Sequence, residues 1–215
     1  MSAKIFVLRE GVKRRYEKEG RLFRNPLYAS ITLVETNFNV LVDTGGRGDE
    51  ELLVEKLREH NLSPDDIDYV INTHTHPDHN FNNFLFKKAF IIEGNSTWPP
   101  KEGINWSPYT QEADKLKDVQ IITTPGHTPS HISVLVECDG IKYVIAGDVF
   151  NEDDLLNKTI PAEDKSNASF LSSERTILQL ADIIILGHGR TIKLDSKQKE
   201  RYLKLLEKSN VSALK

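Results

Sequence analysis

An α/β fold is predicted by three features of the sequence. Short runs rich in Val, Ile, Leu and Phe lead into polar or His-bearing loops and then into stretches with helical spacing of apolar residues. That order occurs once in each half of the chain, without sequence identity between the halves. Finally, His74, Asp148 and His188 each follow closely on an apolar run. Groups carried just beyond the carboxyl ends of strands converge on one rim of a sheet, where such folds place their sites.

Taken in order, 4–8, 30–34 and 39–42 read as strands. Asp43-Thr44-Gly45-Gly46 then turns the chain into a helix over about 50–60, with Leu52, Leu53, Val54 and Leu57 on its apolar side. His60 reads as a solvent-facing residue at its C-terminus, where a positive charge suits the helix dipole. A buried strand over 67–71 precedes the His-rich segment 74–79, and Phe81, Phe84, Leu85 and Phe86 mark a second short helix. Further on, 119–123, 131–136, 142–146 and 182–186 read as strands, and 172–180 and 196–208 as helices. In the last helix Tyr202, Leu203, Leu205 and Leu206 form a stripe that packs on the body. The stretch 94–110 shows no strand or helix and reads as a binding loop or lid, with 151–169 on the opposite rim. Trp98, Trp106 and Tyr109 are its candidate pocket walls, packing of the loop on itself being the near-equal alternative. No linker divides the chain, so a single domain over 1–215 is expected.

Composition narrows the class. Over 215 residues, 38% are hydrophobic and 28% charged, the balance of a globular chain. No apolar run approaches the roughly 18 residues of a spanning helix, and the stretch 5–8 is shorter than a secretory core. A cytoplasmic protein without a membrane partner is expected. The one cysteine, Cys138, rules out an intramolecular disulfide and a multi-thiolate zinc site. The net charge is −4, yet residues 1–24 carry eight Lys or Arg against three Glu. Within that basic end, Lys13-Arg14-Arg15 reads as the solvated turn of a hairpin.

The chemistry lies in the histidines. Thr73-His74-Thr75-His76-Pro77-Asp78-His79 packs four potential metal donors into six residues. In an extended segment His74, His76 and Asp78 share a face, and a turn at Pro77 brings His79 to the same volume. Imidazoles held so close repel when protonated unless something positive keeps them deprotonated. His127, Asp148 and His188 each follow a glycine, which permits tight loop geometry beside a ligand. Nitrogen and carboxylate donors without thiolate suit zinc, iron or manganese.

With their order and spacing, His74-Thr-His76-Pro-Asp78-His79, Gly-His127-Thr-Pro, Gly-Asp148 and Gly-His188-Gly resemble the metal motifs of the metallo-β-lactamase superfamily. The match runs from Asp43, in an Asp-Thr-Gly, to His188. Val-Ile-Ala-Gly-Asp148-Val-Phe resembles small cytosolic members of the metallo-β-lactamase domain-containing protein 1 type. The resemblance implies an αββα sandwich with a metal site at one edge of the two sheets. It implies two divalent ions, zinc foremost: His74, His76 and His127 at the first, Asp78, His79 and His188 at the second, Asp148 between them. Asp43 would orient a ligand imidazole, or serve simply as a turn former before Gly45. His131, four residues after His127, would support the site rather than add an eighth ligand. Asp148 stands where zinc β-lactamases of the best-known subclass carry cysteine, which argues against antibiotic hydrolysis. The expected activity is that of a binuclear hydrolase whose metal-bridging hydroxide attacks a small ester, thioester or lactone, Asp78 steering the proton. A nuclease acting on RNA or DNA and a non-catalytic metal-binding protein are the alternatives. A small-molecule substrate is expected ahead of a nucleic acid, and a homodimer is left open.

Overall fold

The computed structural model describes residues 2–100, 107–108, 113–157 and 167–212. One sheet runs, in spatial order, β1 (Lys4–Arg9), β4 (Ile31–Glu35), β5 (Asn39–Val42), β6 (Tyr69–Asn72), β7 (Phe90–Glu93), β8 (Ser96–Trp98) and β9 (Ser107–Pro108). The other runs β10 (Val119–Thr123), β11 (Ile132–Cys138), β12 (Ile141–Gly147), β13 (Ile183–Leu186) and β14 (Thr191–Lys193). Strands β2 (Val12–Lys18) and β3 (Arg21–Tyr28) pair only with each other, as a separate ribbon. The helices are α1 (Glu50–Glu59), the single turn α2 (Pro77–Asn80), α3 (Glu152–Asn157), α4 (Ala168–Leu180) and α5 (Ser196–Ser212). No helix among the described residues is long and apolar enough to cross a membrane.

Period-two alternation assigns the strand residues to layers. Val40 and Val42 of β5, Ile71 of β6, Ile145 of β12 and Ile185 of β13 join one apolar cluster between the sheets. Their neighbours Leu41 and Val70 face the other way, onto Leu53 and Leu57 of α1. In the second sheet Val144, Ala146, Ile184 and Leu186 face outward onto Ile177 and Leu178 of α4 and Tyr202 and Leu206 of α5. Three apolar layers, the outer two roofed by helices, make the αββα sandwich. The parallel pairs β5–β6 and β12–β13 require crossovers, which α1 and α4 supply.

Several local expectations need correction. Only Leu53 and Leu57 of α1 are buried, while Leu52 is 36% exposed, because a ten-residue helix lying on a sheet hides a narrow stripe. His60 is half-buried, its ring 4.4 Å from that of Phe6, rather than facing solvent. The turn after α2 is a 3-10 helix that points Asn82 inward and leaves Phe81 and Phe84 exposed. Lys13, Arg14 and Arg15 lie within β2, and the hairpin turns at Glu19 and Gly20, both with positive φ. The stretch 94–110 is not structureless: β8 and β9 extend the first sheet.

Leu53→Ala, which empties part of the α1 layer, is expected to lower the unfolding free energy by ~2–5 kcal/mol. Leu52→Ala is expected to change it by under ~0.5 kcal/mol, both read from urea unfolding curves.

Candidate metal centre

The His/Asp residues gather where the two sheets' strand ends meet. His74 and His76 leave the end of β6, Asp78 and His79 ride on α2, His127 follows β10, Asp148 follows β12 and His188 follows β13. Thr73 O accepts from Ile132 N at 2.9 Å, and Gly147 O accepts from Gly187 N at 2.8 Å, so these ends are laced together. The expected alternation holds for His74 and His76. It fails for Asp78, because Pro77 starts a helical turn and rotates Asp78 and His79 into a second group.

Three groups of donors form, within each of which the ligand atoms lie within 4.8 Å of one another: His74, His76 and His127; His74, His79 and Asp148; Asp78, His79 and His188. His76 Nδ1 is 3.0 Å from His74 Nε2 and 3.0 Å from His127 Nε2. His188 Nε2 is 3.1 Å from Asp78 Oδ2 and 3.4 Å from His79 Nε2. Asp148 spans the two: Oδ2 is 3.4 Å from both His127 Nε2 and His188 Nε2, and Oδ1 is 3.3 Å from His79 Nε2.

Partners behind the rings fix which nitrogen carries the proton. Tyr28 O can only accept, so His188 donates to it from Nδ1 at 2.9 Å and leaves Nε2 as a lone pair. His79 Nδ1 donates to Asp43 Oδ2 at 2.8 Å, which turns its Nε2 inward. Thr73 gives its single hydroxyl proton to Asp43, so His74 Nδ1 donates to Thr73 Oγ1 at 3.1 Å. His79 Nε2 and His188 Nε2 thus face one another at 3.4 Å, and His74 Nε2 faces His76 Nδ1 at 3.0 Å. A tetrahedral ion with bonds of ~2.0–2.1 Å spaces its ligand atoms about 3.3 Å apart, which fits this set. Asp148 Oδ1, buried and without a hydrogen bond, fits it too.

Electrostatics agree. Burial drives the imidazoles of His74 and His127 below their ordinary range, so both are neutral at pH 7. Burial also opposes charge on His79, but Asp43 and Asp148 outweigh it and push its pKa up to about 10, so a proton held on Nε2 beside Asp148 stands where a bound cation would displace it. Burial would raise Asp148, yet His79, His188 and His74 hold its carboxyl well below the carboxylate range. Buried carboxylates in excess of local positive charge are what a cation satisfies.

Two glycines are required. Gly147 sits at φ +55°, and a Cβ there would stand 2.7 Å from His131 Nε2. A Cβ on Gly187 would meet Asp148 Oδ1 at 2.2 Å.

His131 is fully buried with both ring nitrogens engaged. Asp148 N donates to Nε2 at 3.2 Å, and Nδ1 donates to Thr124 Oγ1 at 2.9 Å. Thr124 passes a proton on to Ser133, and Ser133 donates to Ala146 O at 3.1 Å. This chain ties both ends of the Gly147 turn and so aims Asp148. Asp43 is at once a turn residue, with φ +59°, and the acceptor behind His79. Its turn is clamped by Arg9, which pairs with Asp49 at 2.5 Å while Asp49 accepts from Gly46 N at 2.7 Å, and by Asn82, which donates to Thr44 O and Gly46 O. Thr73, Thr124, Ser133, Arg9 and Asn82 escaped the sequence reading, since a threonine or asparagine has no motif that announces its partner. Trp98 stands opposite Ile91, on the face that packs towards α1, and so is set apart from the centre. Trp106 and Tyr109 lie outside the described residues.

Residues 24–94 match the profile of the metallo-β-lactamase superfamily. The chain is 34% identical over 197 residues to metallo-β-lactamase domain-containing protein 1 of Xenopus laevis, covering 86% of this chain and 79% of that one. The chain belongs to the metallo-β-lactamase superfamily. It is also 38% identical over 151 residues to a probable metallo-hydrolase of Methanocaldococcus jannaschii, covering 69% of this chain and 70% of that one. A probable metal-dependent hydrolase from Staphylococcus aureus superposes with TM-score 0.64 at 18% identity, over 92% of this chain and 94% of that one, a likeness of fold. Membership of the superfamily implies divalent-metal binding and, in general terms, a metal-dependent hydrolase, and the His/Asp clusters are groups that could hold such an ion.

Asp43→Ala, which removes the acceptor behind His79, is expected to weaken metal binding ~10–100-fold in competition with a chromophoric chelator. Burial pushes His131 down to about 3, against 6.5 for the free side chain. Below pH 6.5 the unfolded chain takes up a proton that the fold refuses, so this contribution to stability is complete above 6.5 and erodes as pH falls towards 3. Unfolding midpoints are expected to drop over that window, and His131→Gln to drop less steeply.

Proposed function

We propose that the chain is a binuclear metallo-hydrolase acting on an ester, thioester or lactone of a small molecule. The observation that carries this is the position of Asp148, whose one oxygen lies 3.4 Å from both His127 and His188, members of two different donor groups. His74, His76 and His127 would hold one ion, Asp78, His79 and His188 the other, and Asp148 both. Two divalent ions there supply a water acidified towards neutrality and polarise the oxygen of the scissile bond. Zinc suits the donor set best, with iron and manganese compatible.

The chain's own groups do the rest. Asp43 and Tyr28 O hold the rings of His79 and His188 with their Nε2 atoms inward, and the Thr124–His131 chain fixes the backbone of Asp148. Asp78 is partly exposed and has Oδ2 3.1 Å from His188 Nε2, so its other oxygen is left to take or steer the proton of an attacking water. Its carboxyl is held below the usual range by His188 and His79 despite the burial that would raise it, so it is ionised at pH 7. His188 also lines a groove of 890 Å³ between β2 and α3, which opens the centre to a ligand of small-molecule size. Phosphodiester cleavage uses the same arrangement and is the rival reading.

Metal analysis on purified protein is expected to give about two ions per chain, and side-by-side assays with ester, thioester, lactone and phosphodiester substrates to favour the carbonyl compounds. Chelation, His76→Ala and Asp148→Ala are each expected to lower kcat/KM at least ~100-fold. Fewer than one ion per chain with unchanged turnover would sink the reading.

A further inference from the structure

The ribbon β2–β3 carries a feature that neither the fold nor the metal centre explains. Residues 12–28 hold six Lys or Arg against two Glu, a net of +4 in a chain whose total is −4. The register sets like charge opposite like charge twice, Lys18 against Arg21 and Arg15 against Arg24. Directly opposed like charges destabilise a strand pair. Among the described residues Lys18, Arg21 and Arg24 make no ion pair with an acidic group. Between these two pairs lie Tyr16 and Phe23, partners in the ladder, their rings stacked at 5.3 Å and 13° and exposed by 45% and 39%. The stacked pair steadies the ribbon, but the cations beside it on the same face, Lys18 and Arg21, add a repulsion that the fold does not require.

The ribbon is rooted at the metal centre. Tyr28 O, at the end of β3, accepts from His188, and a Cβ on Gly11, just before β2, would lie 2.1 Å from Gly187 O. Lys13 donates to Asn151 Oδ1 at 3.1 Å and lines the groove that His188 also lines. By alternation Arg14, Tyr16 and Lys18 share a face, Arg14 also lines that groove, and four residues of strand separate Arg14 from Lys18, about 13 Å. A track of that length, with cations at both ends and aromatic rings between, is too long for one phosphate group. It suits an extended chain of phosphates bearing planar bases, which cation–phosphate contacts hold and aromatic stacking grips without sequence preference.

We propose that β2–β3 is a binding arm for single-stranded nucleic acid, which it leads towards the groove at the metal centre. This surface is independent of which bond the centre cuts. The test is fluorescence anisotropy of a labelled 20-nucleotide single-stranded RNA with the full chain between 50 and 200 mM salt. Binding is expected to weaken with salt, and Lys18→Gln with Arg21→Gln to flatten the log–log slope by about 1.4, at roughly 0.7 per lost phosphate contact. Tyr16→Ala and Phe23→Ala are expected to weaken binding about tenfold each, with Tyr16→Phe keeping it. All these variants are expected to leave hydrolysis of a small ester unchanged and to lower the melting temperature by no more than about 2–4 °C, which separates the arm from the centre. Absence of RNA binding at 50 mM salt, or binding indifferent to all four substitutions, would overturn the proposal. So would competition by AMP at the oligomer's own affinity, or arm-dependent capture of phosphatidylserine vesicles in place of RNA.

Discussion

Imidazole nitrogens facing one another across 3.0–3.4 Å, with a buried carboxylate among them, are the constraint around which this chain is arranged. Neutral rings so disposed repel, and protonated ones repel more, so the arrangement persists only because each ring is held from behind. His79 is held by Asp43, His74 by Thr73 and His188 by the carbonyl of Tyr28. Those supports impose further demands. Asp43 must occupy a left-handed turn, which Arg9, Asp49 and Asn82 clamp. Asp148 must leave its strand through Gly147, a turn that His131 closes. The demand of gathering these donors is thus spread over both sheets.

The αββα layering is what makes such a gathering affordable. Parallel pairs in each sheet put strand ends on a common rim, and the apolar layer between the sheets holds the two rims in register through residues such as Ile71, Ile145 and Ile185. No donor comes from a long loop: each is within a few residues of a strand end or on the short turn α2. Positional precision therefore comes from rigid elements, as ligation distances of about 2 Å require. The ribbon β2–β3 is the exception, attached to this frame at its root but paired with neither sheet. Freed from core packing, its sequence answers to a different demand, which its cations and rings record.

The candidate metal donors and the layer order were legible because each leaves a local mark. Four donors in six residues, and glycines before His127, Asp148 and His188, stand out in any reading. Strands such as 39–42 and 119–123 were found to the residue, since a short β-rich run bounded by turn residues has one interpretation. What misled was polarity judged without neighbours. Lys13 to Arg15 look like a turn because cations are soluble, yet they sit in a strand that no core covers. Phe81 and Phe84 look like a buried face, but the amide groups of Asn82 and Asn83 are the ones needed inside, to satisfy the backbone of the Asp43–Gly46 turn and the side chains of Thr44 and Asn72. Trp98 looked like a pocket wall until the register with Ile91 fixed its face.

The sequence by itself determined the chemistry: nitrogen and carboxylate donors, no thiolate, and an order of motifs that resembles one superfamily. These are matters of residue type and spacing, which covalent connectivity carries. Only the tertiary structure decided how the donors divide, that Asp148 reaches both groups, which ring nitrogen each histidine presents, and that the basic segment is a ribbon rooted beside His188. Those depend on contacts between residues up to 160 positions apart, such as His188 with Tyr28, and such pairings exist only once the two sheets have packed.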